Sequence, residues 1–186
     1  MRRHLGLVLA AGIALAACSS SGTHKSTSTS TDATITQEQS HPTPPGKYPD
    51  KSAQMICSKR LEIATAKALG ISATITTPRW HDALYSCTFV YPTGSIHLSL
   101  KELGSKAQTI AYFNKQKAVL GNAGNVEALG EGAFQPPDGS MVVRKAWGVL
   151  TVGVADLPAQ FGVPPTARSD VSYTVADLIV ACWEGN

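Results

Sequence analysis

Residues 84–100 of the chain read LYSCTFVYPTGSIHLSL and predict a β-hairpin. Apolar or aromatic side chains recur at every second position of both arms, which is typical of strands with one buried face. These positions are Tyr85, Cys87, Phe89 and Tyr91 in the first arm and Ile96, Leu98 and Leu100 in the second. The proline and glycine between the arms favour a turn. We therefore expect the folded part of the chain to be built around an antiparallel strand pair.

Helical patterns flank this hairpin, and they predict helices at residues 51–69, 105–120 and 166–183. Asp50 can cap the start of the first helix, and Gly70 suits the left-handed residue that follows its end. Ser105 and Gln108 have the spacing of a capping box at the start of the second helix. The third helix has the most regular apolar stripe of the chain.

Three short strands separated by turns are expected between the second and third helices, at residues 133–134, 140–145 and 149–154. The predicted order of elements is then α-β-β-α-β-β-β-α. Strands joined by hairpins form antiparallel sheets, whereas a parallel sheet needs a crossover connection between successive strands. The sequence therefore predicts an α+β fold, in which helices pack on one face of an antiparallel sheet.

The first 20 residues, MRRHLGLVLAAGIALAACSS, have the layout of a secretory signal. Two arginines precede the apolar residues 5–17, and this run is shorter than the roughly 20 residues of a transmembrane helix. The segment LAAC at residues 15–18 matches a bacterial lipobox. We predict a lipoprotein signal peptide at residues 1–17 and a lipid anchor, with diacylglycerol and palmitate, on Cys18. A cleaved secreted protein without the lipid is the alternative.

The mature chain is expected to consist of a tether and one domain. Residues 18–49 are rich in Ser, Thr and Pro and have too little apolar area to fold, so we expect a disordered tether. Residues 50–186 are long enough for a single domain with a hydrophobic core. Removing Arg2 and Arg3 from the 16 basic residues leaves 14 against 13 acidic residues. This balance gives no reason to expect a nucleic-acid partner.

Three cysteines follow Cys18, namely Cys57, Cys87 and Cys182. Export to an oxidising compartment favours a disulfide bond, and three cysteines allow one pair. All three occupy predicted core-facing positions, so their spacing leaves the pairing open. We favour Cys57–Cys87, which would join the first helix to the hairpin, and Cys57–Cys182 is the main alternative.

Sequence motifs for nucleotide binding, serine hydrolysis or zinc proteolysis are missing from the chain. Residues 130–132 read GEG without the third glycine of a dinucleotide fingerprint, and we interpret them as shaping the backbone before a strand. His81 adjoins Asp82, but neighbouring side chains of an extended chain point to opposite sides, so we expect no catalytic pair. His97 alternates with buried positions and is expected to face solvent. We therefore predict no catalytic residue, no metal site and no cofactor.

The lipobox, the tether, the strand YSCTFVYPTG, the segment LGEGAF at residues 129–134 and the helix ADLIVACW at residues 176–183 together resemble the small secreted lipoproteins of mycobacteria and related actinobacteria. Several of these proteins carry domains of unknown function with a helix–hairpin–helix–meander plan. The resemblance brings no active-site motif. It implies a disulfide bond between Cys57 and Cys87, while Cys182 is additional to the pattern.

These observations predict a non-enzymatic binding or interaction module on the extracytoplasmic face of the cell membrane. Its partners would be the membrane, through the lipid anchor, and a cell-envelope protein or an apolar small molecule. The alternative function is a carrier or sensor of an apolar ligand or lipid. Such a ligand would occupy a cavity between the sheet and the helices, lined by some of the aromatic side chains.

Overall fold

The computed structural model of the protein describes residues 45–183. The predicted signal peptide, Cys18 and most of the predicted tether lie outside these described residues, and so do residues 184–186. Between residues 45 and 183, none of the helices is both long and apolar enough to cross a membrane.

The described residues contain four helices, an eight-stranded sheet and a separate two-stranded ribbon. The helices are α1 (Lys51–Met55), α2 (Lys59–Leu69), α3 (Lys106–Leu120) and α4 (Arg168–Cys182). The strands of the sheet are β1 (Thr74–Ile75), β2 (Arg79–His81), β3 (Leu84–Tyr91), β4 (Gly94–Glu102), β5 (Gly124–Val126), β6 (Gly132–Gln135), β7 (Met141–Lys145) and β8 (Gly148–Gly153). The ribbon consists of β9 (Gln160–Phe161) and β10 (Thr166–Ala167).

Every strand pair of the sheet is antiparallel, in the order β1-β3-β4-β8-β7-β6-β5, with β2 also paired to β3. The predicted hairpin is β3 and β4, and it places Phe89 opposite Ile96. The pairing of β4 with β8 joins the hairpin and the predicted meander into one sheet. The α+β class and the antiparallel sheet are therefore confirmed. β1, β2 and β5 were not among the predicted strands, because two or three residues are too few to show a periodic pattern.

The main hydrophobic core lies between one face of the sheet and the helices α1, α2 and α4. From the hairpin, Phe89, Ile96 and Leu98 point into this core and are at most 1% exposed. The two longer helices contribute Leu61, Leu69, Val171, Val175 and Ile179. Full burial of such a side chain contributes about 1.5–3 kcal/mol, so this layer supplies most of the hydrophobic stabilisation.

Helix α3 packs on the opposite face of the sheet. Along β7, Met141 and Val143 belong to the main core, whereas Val142 between them belongs to a second cluster with Phe134. Phe113 of α3 lies edge to face against Phe134, with ring centroids 5.2 Å apart. The expected packing on one face thus holds for α1, α2 and α4, and α3 departs from it. The continuous apolar run at residues 141–143 indicates that β7 is buried on both faces, because the sequence of such a strand does not alternate between apolar and polar residues.

The first predicted helix, residues 51–69, is divided into α1 and α2. Ser58 has an extended backbone, and its hydroxyl accepts a 3.2 Å hydrogen bond from the Leu61 N–H, which makes it the N-cap of α2. Asp50 caps α1, and Gly70 follows α2 with φ +65°, both as predicted. The Cβ of a side chain at Gly70 would clash with the backbone carbonyl oxygen of Val163. The helices α3 and α4 lie within two residues of their predicted bounds.

Cys57 and Cys87 form a disulfide bond, which confirms the favoured pairing over Cys57–Cys182. Their Cα atoms are 5.9 Å apart. Cys57 lies between α1 and α2, and Cys87 lies in β3. The bond therefore ties the N-terminal helices to the central hairpin.

Residues 47–50, at the boundary between the predicted tether and the domain, are hydrogen-bonded to the sheet. Trp80 Nε1 donates to the Lys47 carbonyl oxygen at 2.9 Å, and the Asp50 N–H donates to the Glu102 carboxylate at 2.8 Å. Burial raises the pKa of Glu102 above its ordinary value, the hydrogen bond from the Asp50 backbone opposes this, and the Asp50 charge adds to it. Glu102 thus holds the beginning of the domain at a cost in desolvation.

Candidate functional site

A groove of about 770 Å³, whose lining also includes Cys87 and Leu98, lies on the sheet face that carries α3, over the strands β3 and β4. Helix α3 covers the part of this face formed by β6, β7 and β8, so the hairpin part stays open. Hydroxyl-bearing side chains line the groove: Thr76, Thr77, Ser86, Thr88 and Ser99. Arg79 and His97 complete its polar lining. We call this surface the hydroxyl groove.

Strand pairing places the lining residues in two rows across the sheet. In the first row, Arg79 of β2 lies opposite Ser86 of β3, which lies opposite Ser99 of β4. In the second row, Thr88 of β3 lies opposite His97 of β4. Directly opposite residues on one face are about 5 Å apart, so the side chains of both rows can contact one small ligand.

His97 is the centre of a hydrogen-bond network in the second row. Its Nδ1 is 3.0 Å from Thr88 Oγ1, and its Nε2 is 2.8 Å from Asp156 Oδ2. The Ser95 hydroxyl donates to the same carboxylate oxygen at 3.2 Å. On the other side, the Thr88 N–H donates to Thr76 Oγ1 at 3.0 Å. The network holds the imidazole and two hydroxyls in defined positions within an otherwise open surface.

The two charged groups nearest the groove differ in how they are satisfied. Hydrogen bonds from His97 and then Ser95 lower the pKa of Asp156 below its ordinary value, so this carboxylate is ionised near neutral pH. The guanidinium of Arg79 makes no hydrogen bond or ion pair with any residue between 45 and 183. No carboxylate is among the residues that line the groove. The guanidinium of Arg79 is therefore not paired with a carboxylate of the lining, whereas the Asp156 carboxylate lies against His97.

A hydroxyl, an imidazole and a carboxylate in series can activate a nucleophile in hydrolases. Here the side chains of His97 and Asp156 are 54% and 61% exposed, so water competes for the same groups. The Thr88 N–H is already bonded to Thr76 and is not available to stabilise an oxyanion. We interpret the network as one that orients the Thr88 hydroxyl and the imidazole. Within residues 45–183, no group of three or more His, Cys, Asp or Glu side chains could hold a metal ion.

The exposure of His97 was predicted, but its contact with Asp156 was not. Asp156 lies 59 residues further along the chain and follows β8. It reaches His97 because β8 pairs with β4. Since Asp156 lies in a loop, no periodic pattern in the sequence indicates its partner.

His81 and Asp82 depart from the prediction, because their side chains do meet. His81 Nδ1 is 2.9 Å from Asp82 Oδ2. Asp82 has φ +49°, so the alternation of an extended chain does not apply to it. The two side chains are 87% and 79% exposed, which is typical of a solvated turn.

The remaining predicted residues have structural roles or lie outside the described chain. Gly130 has φ +62° and precedes β6, in agreement with a backbone role for residues 130–132. Glu131 in this segment forms a 2.6 Å ion pair with Arg144. Cys57 and Cys87 form the disulfide bond, and Cys18 lies outside the described residues.

No protein-family model matches the chain, and no curated protein and no solved structure matches it significantly. The resemblance to actinobacterial lipoproteins thus stays a prediction from the sequence.

Proposed function

We propose that this protein is a lipid-anchored, extracytoplasmic binding module of the cell membrane, and that the hydroxyl groove is its binding site. The groove is the observation that carries this proposal. Five hydroxyls, a guanidinium and an imidazole line one concave surface formed by adjacent strands and the segment between β1 and β2. A few convergent polar groups in a concave surface are typical of ligand sites.

The N-terminal sequence supports the anchor. Cys18 ends a lipobox, and each CH₂ of an attached acyl chain contributes about 0.8 kcal/mol when it is buried in a bilayer. Stable anchoring takes two hydrophobic signals, and a diacylglyceryl group supplies two chains. The predicted tether at residues 18–49 would join this anchor to the domain. The groove would then be accessible to ligands of the cell envelope.

Binding without catalysis agrees best with the geometry of the groove. General-base catalysis is most effective where the reacting groups are shielded from water and the developing charge meets fixed donors. His97 and Asp156 are both more than half exposed. The proposed role of their contact is therefore to orient ligand-binding groups.

The alternative is a carrier of an apolar ligand or lipid in the main core. Its support is that the hydroxyls of Thr65 and Tyr91 are buried there without a hydrogen-bond partner among the described residues. A polar atom of an amphipathic ligand could satisfy such a group. The hydroxyl groove favours a polar ligand instead.

Metabolic labelling with a fatty-acid probe tests the anchor. We expect the label in the wild-type chain and its loss in the Cys18→Ala variant. The variant is a matched control because it changes only Cys18 and keeps the Ser/Thr-rich segment that follows it. Equal labelling of both chains would refute the lipid attachment.

Native mass spectrometry of the membrane-extracted protein tests the groove. Ser99→Leu would fill the floor of the groove with an apolar side chain, and Ser72→Leu makes the same change at an exposed position outside the lining. We expect a bound polar molecule on the wild type and on Ser72→Leu, and much less on Ser99→Leu. A polar adduct that is equally abundant on all three chains would contradict the site. An apolar lipid adduct that is unaffected by Ser99→Leu would support the alternative.

A further inference from the structure

We propose that the hydroxyl groove binds the phosphate group of a small hydroxyl-bearing organic phosphate, with Arg79 as the charged contact. This inference rests on the proposed function, since it names the ligand class of the same groove. The shared chemistry is a phosphate ester attached to a polyol. Such a group occurs both in soluble phosphate esters and in lipid headgroups.

Arg79 is the first reason for a phosphate. Its guanidinium presents several N–H donors in a planar fork that matches two oxygens of one phosphate group. No described carboxylate pairs with it, so an incoming anion would not have to displace a resident partner. A cationic ligand, in contrast, would be repelled by the same charge.

The hydroxyls beside Arg79 are the second reason. Ser86 lies directly opposite Arg79, and Ser99 lies opposite Ser86, so two small donors stand in the same row as the guanidinium. Both hydroxyls can donate to phosphate oxygens that the guanidinium does not contact. No Phe, Tyr or Trp side chain lines the groove, so the large stacking surface on which many sugar sites rely is not available here. An oxygen-rich anion fits this set of donors better than an uncharged sugar.

The His97 network explains why the ligand should also carry hydroxyl groups. Nε2 of His97 is 2.8 Å from the ionised Asp156, and in a neutral imidazole that donates to this carboxylate, Nδ1 would accept from the Thr88 hydroxyl. The Thr88 oxygen therefore offers lone pairs to the groove. With donors in the first row and acceptors in the second row, the groove would bind its ligand in one orientation. The phosphate is expected over Arg79 and Ser86, and a ligand hydroxyl can donate to Thr88.

Calorimetric titration of the full lipidated chain in detergent micelles tests this assignment. The probes are glycerol 3-phosphate, glycerol, inorganic phosphate and the short-chain lipid dihexanoyl phosphatidylglycerol. We expect glycerol 3-phosphate to bind more tightly than inorganic phosphate, and glycerol to bind most weakly. A tighter complex with the short-chain lipid than with glycerol 3-phosphate would assign the ligand to a lipid headgroup, and the reverse order would assign it to a soluble ester.

Arg79→Gln is the decisive variant. It should raise the Kd for glycerol 3-phosphate by about 10-fold or more, because it removes a charged hydrogen-bonding group. Arg60→Gln is the matched control, because Arg60 is an exposed arginine of α2 that does not line the groove. It should leave the Kd within about twofold, as expected for a distant surface change. Equal unfolding midpoints of both variants without ligand would show that the fold is intact.

Equal affinity of the wild type and Arg79→Gln for glycerol 3-phosphate would overturn the inference, and so would the failure of every phosphate probe to bind. If the phosphate probes fail while Ser99→Leu still removes a bound polar molecule in native mass spectra, the proposed function stands and only the phosphate assignment falls. If Ser99→Leu removes nothing and no probe binds, both fall.

Discussion

The Cys57–Cys87 disulfide gives a quantitative expectation for stability. Replacing both cysteines with alanine removes a link between residues separated by 30 positions. The chain-entropy relation for a loop of that length gives a loss of about 3.6 kcal/mol in the free energy of unfolding at 25 °C. Both residues are changed together, because a single remaining cysteine would be able to pair with Cys182. A loss of this size is a large share of the unfolding free energy of about 5–15 kcal/mol that is typical of whole domains.

Urea unfolding of the full chain, followed by tryptophan fluorescence, measures this loss. The oxidised wild type should be about 3.6 kcal/mol more stable than the double variant, and reduction of the wild type should bring its stability to that of the variant. Cys182→Ala is the control, since Cys182 is outside the bond. We expect it to change the free energy of unfolding by less than about 1.5 kcal/mol.

If the double variant loses less than about 1 kcal/mol of unfolding free energy, the loop-closure argument is refuted. The bond would then not restrict the conformational entropy of the unfolded chain by the expected amount. Equal stabilities of the oxidised and reduced wild type would refute the bond itself as a source of stability. The dependence of the free energy on urea adds a check. Its slope should be steeper without the bond, since the unlinked unfolded chain exposes more surface.

Three further variants test the packing and the buried ionisable groups. The pKa of Glu102 is raised in the folded protein, so the stability that this group provides is full below the ordinary glutamate pKa and is lost as pH rises through the raised pKa of the folded state. Glu102→Gln should therefore flatten the acid side of the profile of unfolding free energy against pH, as measured by urea unfolding. An unchanged profile would contradict this. Burial raises the pKa of Tyr91 to about 12, and its hydroxyl is unpartnered among the described residues. Tyr91→Phe should therefore leave the free energy of unfolding unchanged or raise it by up to about 1 kcal/mol. The variant should also lose the rise in tyrosinate absorbance near pH 12, which the exposed control Tyr173→Phe should retain. In Gly148→Ala the added Cβ would lie 2.6 Å from the Trp183 ring, so thermal unfolding should show a loss of about 1–3 kcal/mol in the free energy of unfolding. If adding Gly148→Ala to a Trp183→Leu variant causes an equal further loss, the contact with the Trp183 ring is not its cause.

Local chemistry explains why much of the fold was predictable. The alternation in the hairpin, the cap at Asp50, the left-handed residue Gly70 and the capping residues before α3 depend on side chains a few positions apart. Ser58 was overlooked, although a serine followed by an amphipathic segment is an ordinary N-cap signal. The short edge strands escaped prediction because their pairing depends on β3 and β6 more than on their own sequence.

The candidate site was only partly predictable. The sequence placed His97 on the solvent side of its strand. It did not indicate that α3 would cover one half of that face and leave the other half open as a groove. It also did not indicate Asp156, which depends on the neighbour that β4 acquires.

The sequence by itself determined the antiparallel hairpin, the α+β class and the helix caps, and it predicts lipid anchoring at Cys18, since each of these is carried by residues close together in the chain. Only the tertiary structure decided the Cys57–Cys87 pairing, the position of α3 and the His97–Asp156 contact. These features join residues 30 or more positions apart, or depend on which face of a sheet a helix covers. They follow from the order in which the strands pair and from the burial of apolar area over the whole domain, and no local pattern encodes either.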